Sequence, residues 1–237
     1  MRPIVGTVAA ADVAGTVSTL RAQMERMQGR RLDTPVLPVA PALAELLPGG
    51  GLRTGGAYAL GRSMALLFAL LAEPSQAGSW CAVVGMPHVG VEAARAAGVD
   101  LSRLVLVPDP GERWLAVTST LADVLSVVAV RPPSRAKDSE VARLAARMRE
   151  REAVLLVQGP WPQTEAMIDV SDPSWSGLGA GHGILSGREL TVTVTSRRAP
   201  VPRSRRLMLP DDRGRLSGES QPTRTRLPEP VPMRRAV

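Results

Sequence analysis

The chain has 237 residues, a formal net charge of +7 and 44% hydrophobic residues. A single cysteine, Cys81, and two histidines, His88 and His182, exclude a disulfide-stapled scaffold and an ordinary zinc site, and they fit a reducing cytoplasm. The longest apolar run, 64–72, is far shorter than the ~20 residues that span a bilayer.

An amphipathic segment precedes the main part of the chain. Four apolar residues recur there at spacings of three and four, which predicts a helix over 17–28: Val17, Leu20, Met24 and Met27. Gly29 follows as a stop signal. This N-terminal region, 1–30, packs either on its own core or on a neighbouring subunit, and the sequence leaves both alternatives open.

Short apolar runs alternate with helical stretches in the middle of the chain. The predicted strands are 57–60, 79–85, 103–108, 126–131 and 153–158. The predicted helices are 63–72, 90–97, 113–124 and 139–151. Nearly continuous apolar runs are typical of parallel strands that are covered on both faces. The alternation therefore predicts an α/β fold, with a mostly parallel sheet flanked by helices, in a core over 31–199.

Two further strands are predicted after the alternating part, at 165–171 and 189–196. The second alternates Leu and Val with Thr, which is typical of a strand buried on one face. We expect the two strands to form a C-terminal antiparallel β-hairpin at one sheet edge. The glycine-rich stretch 177–183 is interpreted as the hairpin loop.

The C-terminal segment differs in composition from the core. Residues 201–237 carry nine Arg, four acidic residues and six Pro, and they lack aromatic residues. Such a composition predicts a disordered basic tail over 200–237. The tail is interpreted either as a solvated appendage or as an arm that binds a partner or a nucleic acid.

The turn after the first core strand is the default phosphate site of such a fold. A working phosphate loop has the pattern Gly-x-x-x-x-Gly-Lys-Ser/Thr, of which this turn keeps only a vestige: Gly61, Arg62 and Ser63. The only lysine, Lys137, is far along the chain, and Arg131 follows the strand where a Mg²⁺-binding acid is expected. We therefore expect no ATPase activity, no catalytic residue, no metal and no cofactor.

Four stretches of the sequence resemble RecA: PALAELLPGGGLRTGGAYALG (41–61), AARAAGVDLSRLVLVPDPGE (93–112), SVVAVRP, and the final EAMIDVS with ELTVTVTSRR. The resemblance covers roughly 31–198. It departs from RecA wherever ATP is handled: near Met64 and Ala65 for the Lys-Thr pair, near Pro87 for the catalytic Glu, and at Arg131 for the Walker B Asp. The regions of the two DNA-binding loops, 132–139 and 159–165, look truncated.

A RecA-like core without a phosphate loop, carrying WCAVVG, LVLVPDPG, VRPP and WSGLGAGHG, resembles the actinobacterial ImuA′ type. The resemblance implies a non-enzymatic accessory protein of damage-induced, mutagenic translesion DNA synthesis. It also implies cytoplasmic location, with association to the nucleoid during DNA damage. The implied partners are ImuB, a Y-family-like adaptor, and through it an error-prone DNA polymerase.

The resemblance places the ImuB contact in the C-terminal segment, where apolar residues stand among arginines. The candidate partner-binding residues are Arg203, Arg205, Arg206, Leu207, Leu209, Arg224, Arg226, Leu227, Arg234 and Arg235. Three alternatives remain open: a nucleotide-binding regulator with a degenerate loop, a direct DNA binder that uses the tail arginines, and a cell-division inhibitor of the SulA type. Weak DNA contact through the tail and self-association are also compatible with the sequence.

Overall fold

The structure, a computed structural model, describes residues 35–179, 182–199 and 201–218. The predicted helix over 17–28 lies outside these residues. The strands of the described part are β1 (Val36–Leu37), β2 (Leu52–Arg53), β3 (Ala57–Leu60), β4 (Cys81–Val84), β5 (Leu104–Val107), β6 (Val127–Val130), β7 (Val154–Gln158), β8 (Ala166–Gly179), β9 (His182–Ser196) and β10 (Arg203–Met208). Its α-helices are α1 (Pro41–Ala44), α2 (Met64–Gln76), α3 (Val91–Ala96), α4 (Trp114–Ala122) and α5 (Asp138–Glu150).

Eight strands form one sheet in the order β10-β9-β8-β3-β7-β6-β4-β5, while β1 and β2 form a small antiparallel pair. The six strands from β8 to β5 in this order are all parallel to one another. Strands β9 and β10 join them in antiparallel orientation. The predicted α/β fold, a mostly parallel sheet with a C-terminal antiparallel hairpin, is confirmed.

The central strands are buried on both faces. Every residue of β4, β6 and β7 is buried, which explains why these segments read as unbroken apolar runs. Because the strands are parallel, the loops that follow β3, β4, β6 and β7 all lie on the same side, at the carboxyl ends of the strands. The vestigial phosphate loop is one of these loops.

The helices cover the two faces of the sheet in pairs. Helices α2 and α3 pack in one apolar cluster, which includes Leu67, Leu71 and Ala94. Helices α4 and α5 pack in the other, through residues such as Trp114 and Leu144. Helix α5 follows directly from its sequence, because Val141, Leu144 and Met148 recur at helical spacing and are all buried.

Helix α2 continues to Gln76, beyond the predicted end at 72, although Pro74 lies in its last turn. A proline at this position removes one backbone hydrogen bond, and its ring crowds the carbonyl group of Leu70. Apolar side chains that are buried along the preceding turns, such as Leu67, Leu70 and Leu71, hold the helix against the sheet. Tertiary packing therefore sets this boundary.

The C-terminal hairpin is longer than the sequence predicts, since β8 has 14 residues and β9 has 15. The described part of the glycine-rich stretch pairs within the hairpin, with Leu178 opposite Gly183. From Ser174 to Gly187 the two strands pair with each other and with no third strand of the described part. This portion, residues 174–187, is called the hairpin arm below.

The prediction of disorder over 200–237 is wrong for residues 201–218. Strand β10 pairs with β9 from Arg203 to Met208, so β10, and not the β8–β9 pair, forms this sheet edge. Met208 also bridges to Ser217. The core therefore extends past the predicted boundary at 199, because Leu207 of β10 and Leu209 just after it are buried within an otherwise basic segment.

None of the helices in the described residues combines the length and apolar character that crossing a membrane requires.

Candidate functional site

The candidate site begins at the vestigial phosphate loop between β3 and α2. The Gly61 N–H donates to the carbonyl oxygen of Ile168, at 3.1 Å, and ties the loop to β8. A Cβ on Gly61 would lie only 2.3 Å from Oδ1 of Asp169. A side chain at position 61 would therefore have to displace the exposed carboxylate of Asp169.

The hydroxyl of Ser63 has a structural partner. Ser63 is the N-cap of α2, and its Oγ accepts a hydrogen bond from the Leu66 N–H at 3.2 Å. Serine is a preferred residue at this position, because its oxygen satisfies one of the free N–H groups at a helix start. The vestigial loop therefore uses its one hydroxyl to begin the helix.

Three side chains, those of Arg131, Gln158 and Met64, contact one another beside the loop. Oε1 of Gln158, at the end of β7, accepts hydrogen bonds from Nε and Nη2 of Arg131 at 3.0 and 2.5 Å. Nε2 of Gln158 lies 3.6 Å from Sδ of Met64. Gln158 is only 4% exposed, so these contacts satisfy a buried amide. A guanidinium group thus stands at the end of β6, where a phosphoryl-transfer site would hold a metal-binding carboxylate.

The end of β4 supplies no charged group to this edge. Gly85 adopts a φ of +72°, and a Cβ there would lie 2.6 Å from the Arg131 carbonyl oxygen. Met86, which follows, is buried, whereas His88 is exposed. The end of β4 is therefore closed by close backbone packing and an apolar side chain.

A cavity of about 540 Å³ lies beside the vestigial loop. Its charged lining residues are Arg62, Asp169 and Arg188. The Arg188 guanidinium lies 5.3 Å from the ring centre of Trp175, and its Nε donates to the Leu209 carbonyl oxygen at 2.8 Å. Partial burial lowers the pKa of Arg188. Arg62 comes from the loop between β3 and α2, and Asp169 and Arg188 come from the hairpin. Together they form a concave surface that carries two arginines and one carboxylate.

Sequence reasoning did not single out Asp169, Trp175 or Arg188. All three lie on the hairpin, more than 100 residues after the loop in the chain, and no local motif connects them to it. Only the parallel pairing of β3 with β8 brings them together. The Trp–Arg pair across β8 and β9 is a cross-strand neighbour pair that an exact strand register would have indicated.

The predicted partner-binding residues divide into three groups. Leu207 and Leu209 are each 1% exposed and belong to the core of this chain, so their prediction as partner contacts is wrong. Arg203, Arg205 and Arg206 lie on β10, where Arg205 forms an ion pair with Glu45 and Arg206 one with Glu189 at 2.8 Å. Arg224, Arg226, Leu227, Arg234 and Arg235 lie outside the described residues.

Cys81 is the remaining candidate for chemistry. It is fully buried in β4, and burial raises the pKa of its thiol to about 12. Such a thiol is protonated at neutral pH and is a poor nucleophile. Within the described ranges, the acidic, His and Cys side chains form no group of three that could hold a metal ion.

The fold and this site define an α/β protein in which side chains of the chain itself fill the space beside the loop 61–63. The family model described as the MT3502 N-terminal domain matches residues 45–163, which span the chain from the end of α1 to just past β7. The chain belongs to this family.

A curated relative is the uncharacterized protein Rv3395c of Mycobacterium tuberculosis, which is 36% identical over 121 residues. The match covers 49% of this chain and 59% of the relative, so the chain spans less than two thirds of the relative's length.

Proposed function

We propose that this chain is a non-catalytic accessory protein of damage-induced translesion DNA synthesis. In this proposal, a RecA-like core of the ImuA′ type docks on an ImuB-type adaptor and, through it, on an error-prone DNA polymerase. The observation that carries the non-catalytic part is the contact of Arg131 with the buried Gln158 at the ends of β6 and β7.

Phosphoryl transfer depends on a cation, a metal-binding acid and a residue that orients the nucleophile. Here the loop hydroxyl of Ser63 caps α2, and Arg131 takes the place of the acid. Opening the site would leave the amide of Gln158 without its partner. This internal hydrogen bonding supports a role as a scaffold rather than an enzyme.

A surface suited to a protein partner supports the scaffold role. The hairpin arm exposes four large apolar side chains: Trp175 (52%), Leu178 (64%), Ile184 (84%) and Leu185 (49%). Clustered exposed apolar residues are typical of protein interaction sites. In the proposal this arm assists a contact made chiefly by the residues after 218, which carry Arg224, Arg226, Leu227, Arg234 and Arg235.

Co-purification with an ImuB-type adaptor tests the proposal. The full chain is expected to bind, and a chain ending at 218 is expected not to. The truncation is placed after 218 because β10 belongs to the sheet. A matched pair of full-length variants refines the test: Arg224, Arg226, Arg234 and Arg235→Gln against Arg95, Arg113, Arg135 and Arg143→Gln, with equal loss of charge.

The outcomes separate the parts of the proposal. If the chain ending at 218 still binds, the accessory role stands, and Trp175→Ala with Ile184→Ala then tests the hairpin arm as the contact. If the full chain does not bind the adaptor, the proposed function is overturned.

The cavity beside the loop favours one second candidate, a nucleotide-binding regulator without turnover. Arg62, Arg188 and the ring of Trp175 could together contact a phosphate and a base. Saturating MgATP would then raise the Tm of the full chain, and Arg188→Gln would abolish the rise. An unchanged Tm with MgATP would remove this candidate.

A further inference from the structure

A second, larger cavity lies at the amino ends of the parallel strands, on the side of the sheet opposite to the vestigial loop. Its volume is about 710 Å³. It is formed by four parts of the chain: the turn before β3, the end of α5, the segment before β8 and the residues that follow β9. None of these parts belongs to the vestigial phosphate loop.

The cavity carries an excess of positive charge. Its lining includes four arginines, which are Arg53, Arg149, Arg197 and Arg198. It includes only two carboxylates, those of Glu152 and Glu165. Nη2 of Arg198 lies 3.0 Å from Oε2 of Glu165. Among the described residues the other three arginines form no ion pair. Three guanidinium groups are therefore available to an anion.

Thr54 provides an independent indication of a ligand. It lines the same cavity and is only 9% exposed, and its Oγ1 has no hydrogen-bond partner within the described part of the chain. Buried hydroxyl groups are normally paired, because an unpaired one costs free energy. Because Oγ1 has almost no exposed surface, a bound oxyanion among the arginines would become its acceptor once the Thr54 side chain turns toward the cavity.

The backbone holds these groups in place. The Gly55 N–H donates to the Ala153 carbonyl oxygen at 3.0 Å, which ties the turn before β3 to the segment after α5. Gly55 has a φ of +72°, and a Cβ there would lie 3.0 Å from Cα of Arg149. This close approach fixes the backbone of Arg149 beside the turn that carries Thr54.

We infer that this cavity binds a phosphate group, with Arg53, Arg149 and Arg197 as its ligands and Thr54 as an additional hydrogen-bond donor. Arginine is suited to this task because its planar fork matches phosphate oxygens. The cavity is open to the surface, so a phosphodiester of a polynucleotide backbone can reach it as well as free phosphate. The inference depends on neither the adaptor nor the vestigial loop.

Binding by the full chain tests this inference with two probes, inorganic phosphate and a fluorescein-labelled single-stranded DNA. The variant Arg53→Gln, Arg149→Gln, Arg197→Gln is compared with a control of equal charge, Arg113→Gln, Arg135→Gln, Arg143→Gln, whose residues lie outside the cavity. We expect the cavity variant to lose at least about tenfold in affinity while the control stays close to the wild type. Circular dichroism melts confirm that both variants fold.

The two probes distinguish the source of the phosphate. A loss with DNA, accompanied by a slope of log affinity against log salt that is smaller by about 2, indicates three backbone contacts. A loss with inorganic phosphate alone indicates a free phosphate ligand. Equal losses in the cavity and control variants, no binding of either probe, or equally strong binding of polyglutamate would overturn the inference.

Thr54→Val tests the hydroxyl separately. Replacing an unpaired buried hydroxyl with a methyl group of similar shape is expected to raise the Tm. It is also expected to weaken phosphate binding about fivefold, the value of one hydrogen bond. A raised Tm with unchanged affinity would overturn the assignment of Thr54 to the site.

Discussion

At the scale of single residues, the contact between Arg131 and Gln158 is the main feature of the carboxyl ends of β6 and β7. Gln158 cannot reach water, so its oxygen depends on the guanidinium. We expect Arg131→Met to lower the free energy of unfolding by about 1–3 kcal/mol, because it leaves a buried acceptor unpaired. Urea denaturation measures the change.

A double variant supplies the control for this prediction. Arg131→Met with Gln158→Met removes both partners and is expected to recover much of the loss, since no buried polar group then remains unpaired. A double variant that is less stable than Arg131→Met would contradict the hydrogen-bonding account.

Cys81 gives a second prediction at the residue scale. Because burial raises the pKa of its thiol to about 12, the thiolate is scarce at pH 8 and is also shielded from reagents. Ellman's reagent is expected to react with the native chain only at the rate of unfolding and to react at once in urea. Rapid reaction of the native chain would show that β4 is accessible.

At the element scale, one carboxylate joins the end of α4 to α5. Asp123 forms ion pairs with Arg147 and Arg151, the latter at 3.4 Å, and the hydrogen bond from Arg147 lowers the pKa of Asp123. A lowered pKa in the folded state gives stability that is present above the unfolded pKa of about 3.9 and is lost as the pH falls through the folded value.

This pairing predicts a pH-dependent difference between the wild type and Asp123→Asn. At pH 7 the variant is expected to melt at a lower temperature, because the ion pairs are lost. As the pH falls below about 4 the two Tm values should converge, since the wild-type carboxyl becomes protonated. Thermal melts from pH 7 to pH 2.5 check this, and a constant difference would contradict it.

Strand β10 is the second element whose contribution can be measured. Leu207→Ala is expected to lower the free energy of unfolding by about 2–5 kcal/mol, because it opens a cavity in the core. Val201→Ala, just before the strand, is the control, since Val201 is 69% exposed. Similar losses in both variants would contradict the burial of β10.

The sequence predicts the parallel strands well and β10 poorly, for physical reasons. Buried parallel strands have a strong local signal, because both faces must be apolar, as in β6 and β7. In β10 only Leu207 is buried, so its contribution to the core is masked by the basic average composition of the segment. Averaging over 201–237 therefore suggested disorder for a strand that neighbouring strands hold in place.

The candidate site, too, is predictable from the sequence only where its features are local. Gly61 and Ser63 could be found because the motif that they belong to is local, within one turn. The partners of Arg131 and the lining of both cavities could not, since they join residues that are distant in the chain, such as Arg53 and Arg197. Charged side chains on loops give no periodic signal that indicates where the fold will bring them.

At the scale of the whole molecule, the boundary of the folded core can be tested by truncation. A chain ending at 199 lacks β10, so we expect it to melt at a much lower temperature than a chain ending at 218. The chain ending at 218 retains every described contact of the sheet and is expected to match the full chain in Tm. Equal Tm values for all three would show that β10 contributes nothing.

The two edges of the eight-stranded sheet differ in charge. At one edge, β10 presents Arg203, Arg205 and Arg206, and charged side chains on an edge strand discourage the addition of a further strand. At the other, β5 is the short, uncharged run Leu104–Val107. Within the described part of the chain, backbone pairing between copies would therefore join two β5 strands. Such growth would stop at a closed pair, because each outer edge would then carry the charged side chains of β10.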